Sequence, residues 1–385
     1  MNVLFLTTSF PRRPGDYSGV FVFHLAQGLR ALGIDIDVVA PNDGDLEPEA
    51  VVGGVRLHRF NFFLNKSRKF IAGGGGIPGN LKNNKLFLAV LPFFLWAFLR
   101  KALRHSRRAD LVHCQWFPLG ILGLVLRLAQ KKKYVVNVRG SDKIFLEKKF
   151  RFLARAIIRR SGAVVFVGRD LFQKLHLQDK FHLVPNGVDV CVRKDYPRRT
   201  GERLVLYAGN LSPNKSVETL VRAAALLQET DAFRVLIVGE GPEKTKLEAL
   251  VQELGLEGRV RFRGPLPQEE LFSLMAQSYV FVQPSFSEGR SNVVLEALAS
   301  GLPVVASRIP ANSEIIEDRK NGLLFEPGNA ADLAAGIRFL LEAPGAREGM
   351  AEEGKRVIRE QGLTWESASR KYVQIYEKVL RAEES

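Results

Sequence analysis

Apolar and polar positions along this chain repeat one alternation. Continuous apolar runs of strand length give way to amphipathic stretches, then resume. VLFLTT near the start reads as a buried strand. Val20 to Leu32 reads as a helix, with Val20, Phe23, His24 and Gln27 at helical spacing and Gly33 closing it. IDIDVVAP, DLVHCQW and YVVNVRG read as strands, the last two separated by the helical LGILGLVLRLAQ. AVVFVG, a helix from about Arg169 to Leu175, and FHLVPNGVD complete the first half. Apolar strands separated by amphipathic helices predict a parallel sheet covered on both faces.

VRKDYPRRTGE, residues 192–202, is polar, basic and broken by Pro and Gly, so it reads as a linker. The alternation then restarts. RLVLYAGN, FRVLIVGEG, RVRFRGPL and VFVQPS read as strands; VETLVRAAALLQ, KTKLEALVQELGL and EELFSLMAQS read as helices. The fold class is therefore α/β, with two Rossmann-like doubly wound domains. Ligands in such sheets bind beyond the strand carboxyl ends, here at a cleft between the halves. The predicted domains are 1–191 and 203–362, and TWESASRKYVQIYEKVL within 363–385 is an amphipathic final helix.

At 385 residues the chain is too long for one ordinary core, and an apolar content of 46% is that of a globular protein. The net charge of +15 favours anionic partners: nucleotide phosphates, nucleic acid or an acidic membrane face. Two cysteines, Cys114 and Cys191, without metal-type spacing fit a reducing compartment. MNVLFLTTSFP lacks a basic leader and reads as a strand rather than a signal peptide. LFLAVLPFFLWAFL, from Leu86 to Leu99, is too short for a bilayer span and is followed by Arg100, Lys101, Arg104, Arg107 and Arg108. It fits a buried helix with a solvated basic end, or a surface helix pressed on anionic lipid. The Gly73–Gly76 run and the basic Lys66–Phe70 stretch before it favour a mobile, membrane-facing loop.

The segment Ser285–Ser307, SFSEGRSNVVLEALASGLPVVAS, holds the most specific chemistry. Glu288 lies on a Gly-flanked turn and Glu296 inside the helix that follows, with Ser291 or Asn292 as its cap. Gly301-Leu302-Pro303 stops that helix. The turn offers free N–H groups at Ser291 to Val293 and a positive dipole end to an anion, and the carboxylates can accept from sugar hydroxyls. Two solvated glutamates on an ordinary loop and helix are the plainer alternative.

This segment resembles the EX7E signature of family 4 retaining, nucleotide-sugar-dependent glycosyltransferases, which have the two-domain GT-B fold. The resemblance recurs along nearly the whole chain. Gly209-Asn210 through Lys215 resembles the family's G-R-x-x-x-x-K segment, with Asn210 where Arg is usual. The resemblance implies that Lys215 holds the donor diphosphate, with Asn210 or Arg290 assisting. Gly239-Glu240-Gly241-Pro242 resembles the G-x-G-P turn, and Gly15 to Val20, with Gly19 before the helix, resembles the glycine loop facing the donor phosphate. Arg139-Gly140-Ser141-Asp142 resembles H-G-x-D, with Arg139 in the place of His; Asp142 could accept from an acceptor hydroxyl or serve as a turn residue. Pro185-Asn186-Gly187-Val188-Asp189 resembles P-N-G-V-D and is assigned to structure. Glu288 is expected on the donated sugar and Glu296 on the ribose, and the resemblance implies that the final helix within 363–385 packs back on the first domain.

The expected activity is retaining transfer of a hexose from a UDP- or GDP-type sugar nucleotide to a saccharide or lipid-linked acceptor. Cell-surface polysaccharide or glycolipid synthesis in the cytoplasm, at the inner membrane face, is the expected setting. No cofactor, metal or nucleic-acid partner is expected. The D-x-D pairs Asp35/Asp37 and Asp43/Asp45 lack a metal-site context, and the six histidines show no ligand-type cluster. His113 beside Cys114 reads as packing. A non-catalytic nucleotide- or membrane-binding relative and a nucleotide-sugar epimerase are the alternatives. No lysine segment fits a phosphorylase cofactor, and an NAD oxidoreductase would need a G-x-G-x-x-G opening.

Overall fold

The computed structural model describes residues 1–12, 19–42, 46–61, 86–139, 142, 151–168, 172, 179–188, 203–227, 233–288 and 291–382, with the backbone alone for 86–90. The Gly15–Ser18 loop, Asp43–Asp45, Lys66–Gly76, most of Arg169–Leu175, the linker and Arg290 lie outside these residues.

The chain divides into two compact units, Met1–Pro185 with Trp365–Ser385, and Asn186–Thr364. The division falls earlier than the expected 191 because the Val188 N–H donates to the Leu363 carbonyl at 3.0 Å and Val188 bridges to Thr364. Asn186 to Val188 therefore pack with the second unit.

The first unit has strands β1 (Asn2–Leu6), β2 (Asp35–Pro41), β3 (Glu49–Val52), β4 (Val55–Phe60), β5 (Leu111–Cys114), β6 (Lys133–Val138), β7 (Ala163–Phe166) and β8 (Phe181–Leu183). They run in the order β3-β4-β2-β1-β5-β6-β7-β8. Every pair is parallel except β3 with β4. That edge hairpin is absent from the sequence reading. It turns on Gly53 and Gly54, both at positive φ, as a two-residue hairpin requires.

The hairpin also corrects the expectation that no histidines cluster. His58 on β4 stacks on His105, with ring centroids 3.7 Å apart, and Glu49 on β3 reaches both. Asp37 follows the alternating reading, but it is engaged: it accepts from Arg56 at 2.7 and 2.9 Å and contacts His58 Nε2 at 3.0 Å.

The helix Trp365–Arg381 belongs to the first unit and packs on the helix Val20–Ala31. Its buried stripe is Trp365, Ala368, Ser369, Tyr372, Ile375, Tyr376 and Val379, a helical repeat. Close approach is possible because a Cβ on Gly28 would sit 2.3 Å from Ser369 Oγ. Lys133 Nζ donates to the carbonyls of Leu380 and Ala382 at 2.9 and 2.6 Å, a cation at the helix carboxyl end.

Under this helix lies a buried polar network. His113 Nε2 is 2.9 Å from Asn137 Oδ1, which can only accept, so Nε2 carries the proton. Nδ1 then accepts from the Tyr376 hydroxyl at 2.6 Å and the Gln115 amide at 3.1 Å. The Tyr372 hydroxyl donates to Asn137 Oδ1 at 3.1 Å, and Asn137 Nδ2 donates to Gln115 Oε1 at 3.2 Å. Burial pushes the His113 pKa down to about 3, so the ring is neutral and its two nitrogens have fixed roles.

The second unit has β9 (Arg203–Ala208), β10 (Phe233–Val238), β11 (Val260–Arg263), β12 (Val280–Gln283), β13 (Val304–Ser307) and β14 (Leu323–Phe325). Their order is β11-β10-β9-β12-β13-β14, all parallel. The order reverses direction next to β9, so the loops after β9 and β12 leave adjacent strands in opposite senses of winding.

The Tyr376→Phe substitution should cost about 1–3 kcal/mol, because it weakens the pairing of a buried nitrogen. Urea unfolding measures this; an unchanged midpoint would show that the network contributes nothing.

Candidate active site

The loops after β9, β10 and β12 converge. The Gly209 N–H donates to the Val238 carbonyl at 3.0 Å and the Leu211 N–H to the Glu240 carbonyl at 2.9 Å. These contacts explain the expected glycines at 209, 239 and 241. Gly239 has φ +141, and a Cβ there would lie 1.9 Å from the Gly209 carbonyl oxygen. A Cβ on Gly241 would lie 2.2 Å from the Leu211 carbonyl oxygen. The glycines thus let one loop backbone lie on the other. Asn210 is exposed beside them.

Lys215 closes the short 3-10 turn Pro213–Lys215 rather than opening an α-helix. Ser216, at φ 49, then leads into the helix Val217–Ala225. Backbone contacts hold this loop to the one after β12. The Phe286 N–H donates to the Asn214 carbonyl at 2.9 Å, and Asn214 Nδ2 donates to the Ser287 carbonyl at 2.7 Å.

That pairing brings Lys215 Nζ to Glu288 Oε1 at 2.5 Å. The same oxygen accepts from Ser285 Oγ at 2.7 Å and Gln283 Nε2 at 2.8 Å. The carboxylate side chain is only 10% exposed, and the lysine 24%. Ser285 and Gln283 are buried, and Ser307 Oγ donates to the Ser285 carbonyl at 2.5 Å. Sequence reasoning named Glu288 and Lys215 but missed Gln283, Ser285 and Ser307. Their polar side chains stand in buried strand-end positions, and that was the available signal.

The helix that follows is Asn292–Ala299, with Ser291 as its N-cap residue. The expected side-chain cap is absent: neither Ser291 nor Asn292 bonds a first-turn N–H. Asn292 Oδ1 instead accepts from Asn186 Nδ2 at 3.2 Å. The N–H groups at Asn292 and Val293 have no intrahelical partner, so this end suits an anion. Glu296, half-buried one turn in, accepts from Gln268 Nε2 at 3.3 Å. At the other end Gly301, at φ 68, donates to the Leu298 carbonyl at 3.0 Å, and Leu302 donates to that of Ala297 at 2.9 Å. This is the expected glycine stop.

In the first unit, Gly19 precedes the helix Val20–Ala31 at φ 66, with Ser9 O only 2.3 Å from where a Cβ would stand. Arg139 Nε donates to the Gln115 carbonyl at 2.9 Å, its Nη2 to Gln115 Oε1 at 3.3 Å, and its guanidinium lies 4.1 Å from the Phe21 ring centroid. The Arg139 guanidinium is thus held by protein partners. Asp142 takes the turn role, one of the two readings open for it. Its side chain is fully buried, and Oδ2 accepts from the Arg139 N–H at 2.7 Å. The carboxyl clamps the turn. Burial raises its pKa to about 6, although the Arg139 N–H and guanidinium oppose the rise.

The folded carboxyl therefore keeps its proton to about pH 6, whereas the unfolded chain releases it near pH 4. Stability should fall as pH rises through this window, since the native state binds more protons. The Asp142→Asn variant should lose that slope in urea midpoints taken between these two pH values. Parallel profiles for the two proteins would remove Asp142 as its source.

A family profile described as Glycosyl transferases group 1 matches residues 192–357, and a Glycosyl transferase 4-like domain matches residues 18–187. A D-inositol 3-phosphate glycosyltransferase of Nocardia farcinica is 33% identical, over 75% of this chain and 72% of that protein. The sucrose-phosphate synthase of Thermosynechococcus elongatus superposes with a TM-score of 0.79 at 21% identity, over 99% of this chain and 100% of that one. Anabaena HepE in complex with UDP and glucose gives 0.74 at 17% identity, over 98% and 99%. Two parallel-sheet units with these neighbours are the GT-B architecture. On this sequence and fold evidence the chain belongs to the group 1, family 4-like glycosyltransferases.

Proposed function

We propose that this glycosyltransferase moves a hexose from a UDP- or GDP-type sugar nucleotide to a saccharide or lipid-linked acceptor, with retention. The observation that carries the reading is the Lys215–Glu288 pair at 2.5 Å beside the uncapped helix end at Asn292. A cation, free N–H groups and a carboxylate then meet in one place. Breaking the glycosidic bond builds negative charge on the departing diphosphate, and Lys215 with the helix end offsets it. Glu288 exchanges its lysine contact for hydroxyls of the sugar. Glu296 accepts from the ribose hydroxyls. The glycines at 209, 239 and 241 keep side chains from the approaching phosphates. This positive field asks for no divalent ion in the transfer step. HepE in complex with UDP and glucose is consistent with a uridine donor. Retention rests on the family resemblance alone.

A role at the cytoplasmic membrane face in polysaccharide or glycolipid synthesis is supported by the helix Leu86–Ser106. Phe94, Phe98 and Ala102 bury one side in the core, whereas Phe93 and Trp96 are 56% and 62% exposed on the other. Arg100 stands over the Trp96 ring at 5.6 Å, and Arg104 and Arg107 line the same groove. Aromatics ringed by arginines suit an anionic lipid surface. No helix among the described residues is long and apolar enough to cross a membrane.

Lys215→Met should lower kcat/KM for the sugar nucleotide by about 1.5–3 kcal/mol, roughly ten- to hundredfold. Glu296→Ala should raise donor KM and lower turnover with the melting temperature kept. Wild-type kinetics in both would refute the assignment, and UDP binding without any transfer would favour the non-catalytic alternative. Trp96→Ser should weaken co-sedimentation with phosphatidylglycerol vesicles, and added salt should release the parent protein. Absence of vesicle binding by the parent would end the membrane reading.

A further inference from the structure

We propose that Glu49, His58 and His105 form a binding site in the first unit for a divalent transition-metal ion of the zinc class. One ligand atom from each residue lies within 4.8 Å of the other two. Two imidazoles and a carboxylate match the donor set of borderline metals, and a fourth position remains for water.

Three further observations fit coordination. Asp37 Oδ1 holds His58 Nε2 at 3.0 Å, which leaves Nδ1 to face Glu49 Oε2. A carboxylate on the far nitrogen of a ligating histidine fixes its ring and raises its basicity. His105 Nε2 is buried without a hydrogen-bond partner, a cost that a metal bond would remove. Lys101 occupies Glu49 Oε1 at 2.6 Å and so leaves the other carboxylate oxygen for the ion.

The three ligands come from the edge strand β3, its neighbour β4 and the last turn of the helix Leu86–Ser106. A bound ion would cross-link the antiparallel hairpin to that helix. The rings stack at 26°, and each ligand nitrogen must point its lone pair at the ion, so binding splays them apart. Glu49 is exposed, so the ion enters from solvent. The role is structural and separate from the transfer chemistry.

Full-length protein freed of metal by chelation and desalting should be titrated with zinc chloride by calorimetry, with bound zinc counted by elemental analysis. One equivalent should bind and raise the melting temperature. Cobalt(II) should give visible absorption of a four-coordinate site. His105→Gln and His58→Gln should each weaken zinc binding at least about tenfold, while metal-free His105→Gln keeps its fold and its transfer activity. Failure of the parent to bind zinc overturns the proposal, and so does zinc binding that both variants keep unchanged.

Discussion

One ion pair joins the two loops of the second unit on which the proposed chemistry rests. Lys215 and Glu288 are 73 residues apart, on loops leaving the adjacent strands β9 and β12. Parallel pairing makes that meeting possible, because every strand of the sheet ends at the same edge. The backbone bonds between Asn214 and the Phe286–Ser287 segment set the spacing of the loops. The side chains then complete a contact whose geometry was already fixed. Glu288 is oriented by donors on strand-end residues rather than by solvent, so its carboxylate is held in place before any ligand arrives.

The first unit handles polar groups differently. Arg139, Gln115, Asn137 and His113 lie beneath the strand ends, but each is satisfied by a protein partner. Asp142 closes the turn from beneath. The two units therefore share a winding pattern but differ in what they expose at the carboxyl edge. The second presents a cation, a carboxylate and an uncapped helix. The first ties its corresponding cation to Gln115 and Phe21.

Much of this was legible in the chain. The apolar runs gave β1, β2 and β5 to β12, though not β14, and Gly301 marked the helix stop because a left-handed residue is needed there. Glu288 and Lys215 were legible as candidates, yet their mutual contact was not, since sequence spacing carries no information on loop convergence. Asp142 stayed open between two roles for a related reason: an acid in a turn looks alike whether it faces water or the turn's own N–H groups. The hairpin Glu49–Phe60 escaped because its edge strand EAVV is short and only half alternating. His58 and His105 met only once that hairpin was laid beside the helix. Tyr376 and His113, 263 residues apart, were joined by folding alone.

The closing helix has a consequence for biosynthesis. The ribosome makes Trp365–Arg381 only after the whole of Asn186–Thr364 has been synthesised. Until then the hydroxyls of Tyr372 and Tyr376 are missing from the amino-terminal sheet, and the apolar surface around Val22, Leu25 and Leu29 is uncovered. The half of the molecule that is translated first is thus the one that finishes last. Nascent chains stalled within the second unit would expose that surface, the kind of incomplete intermediate on which chaperones act.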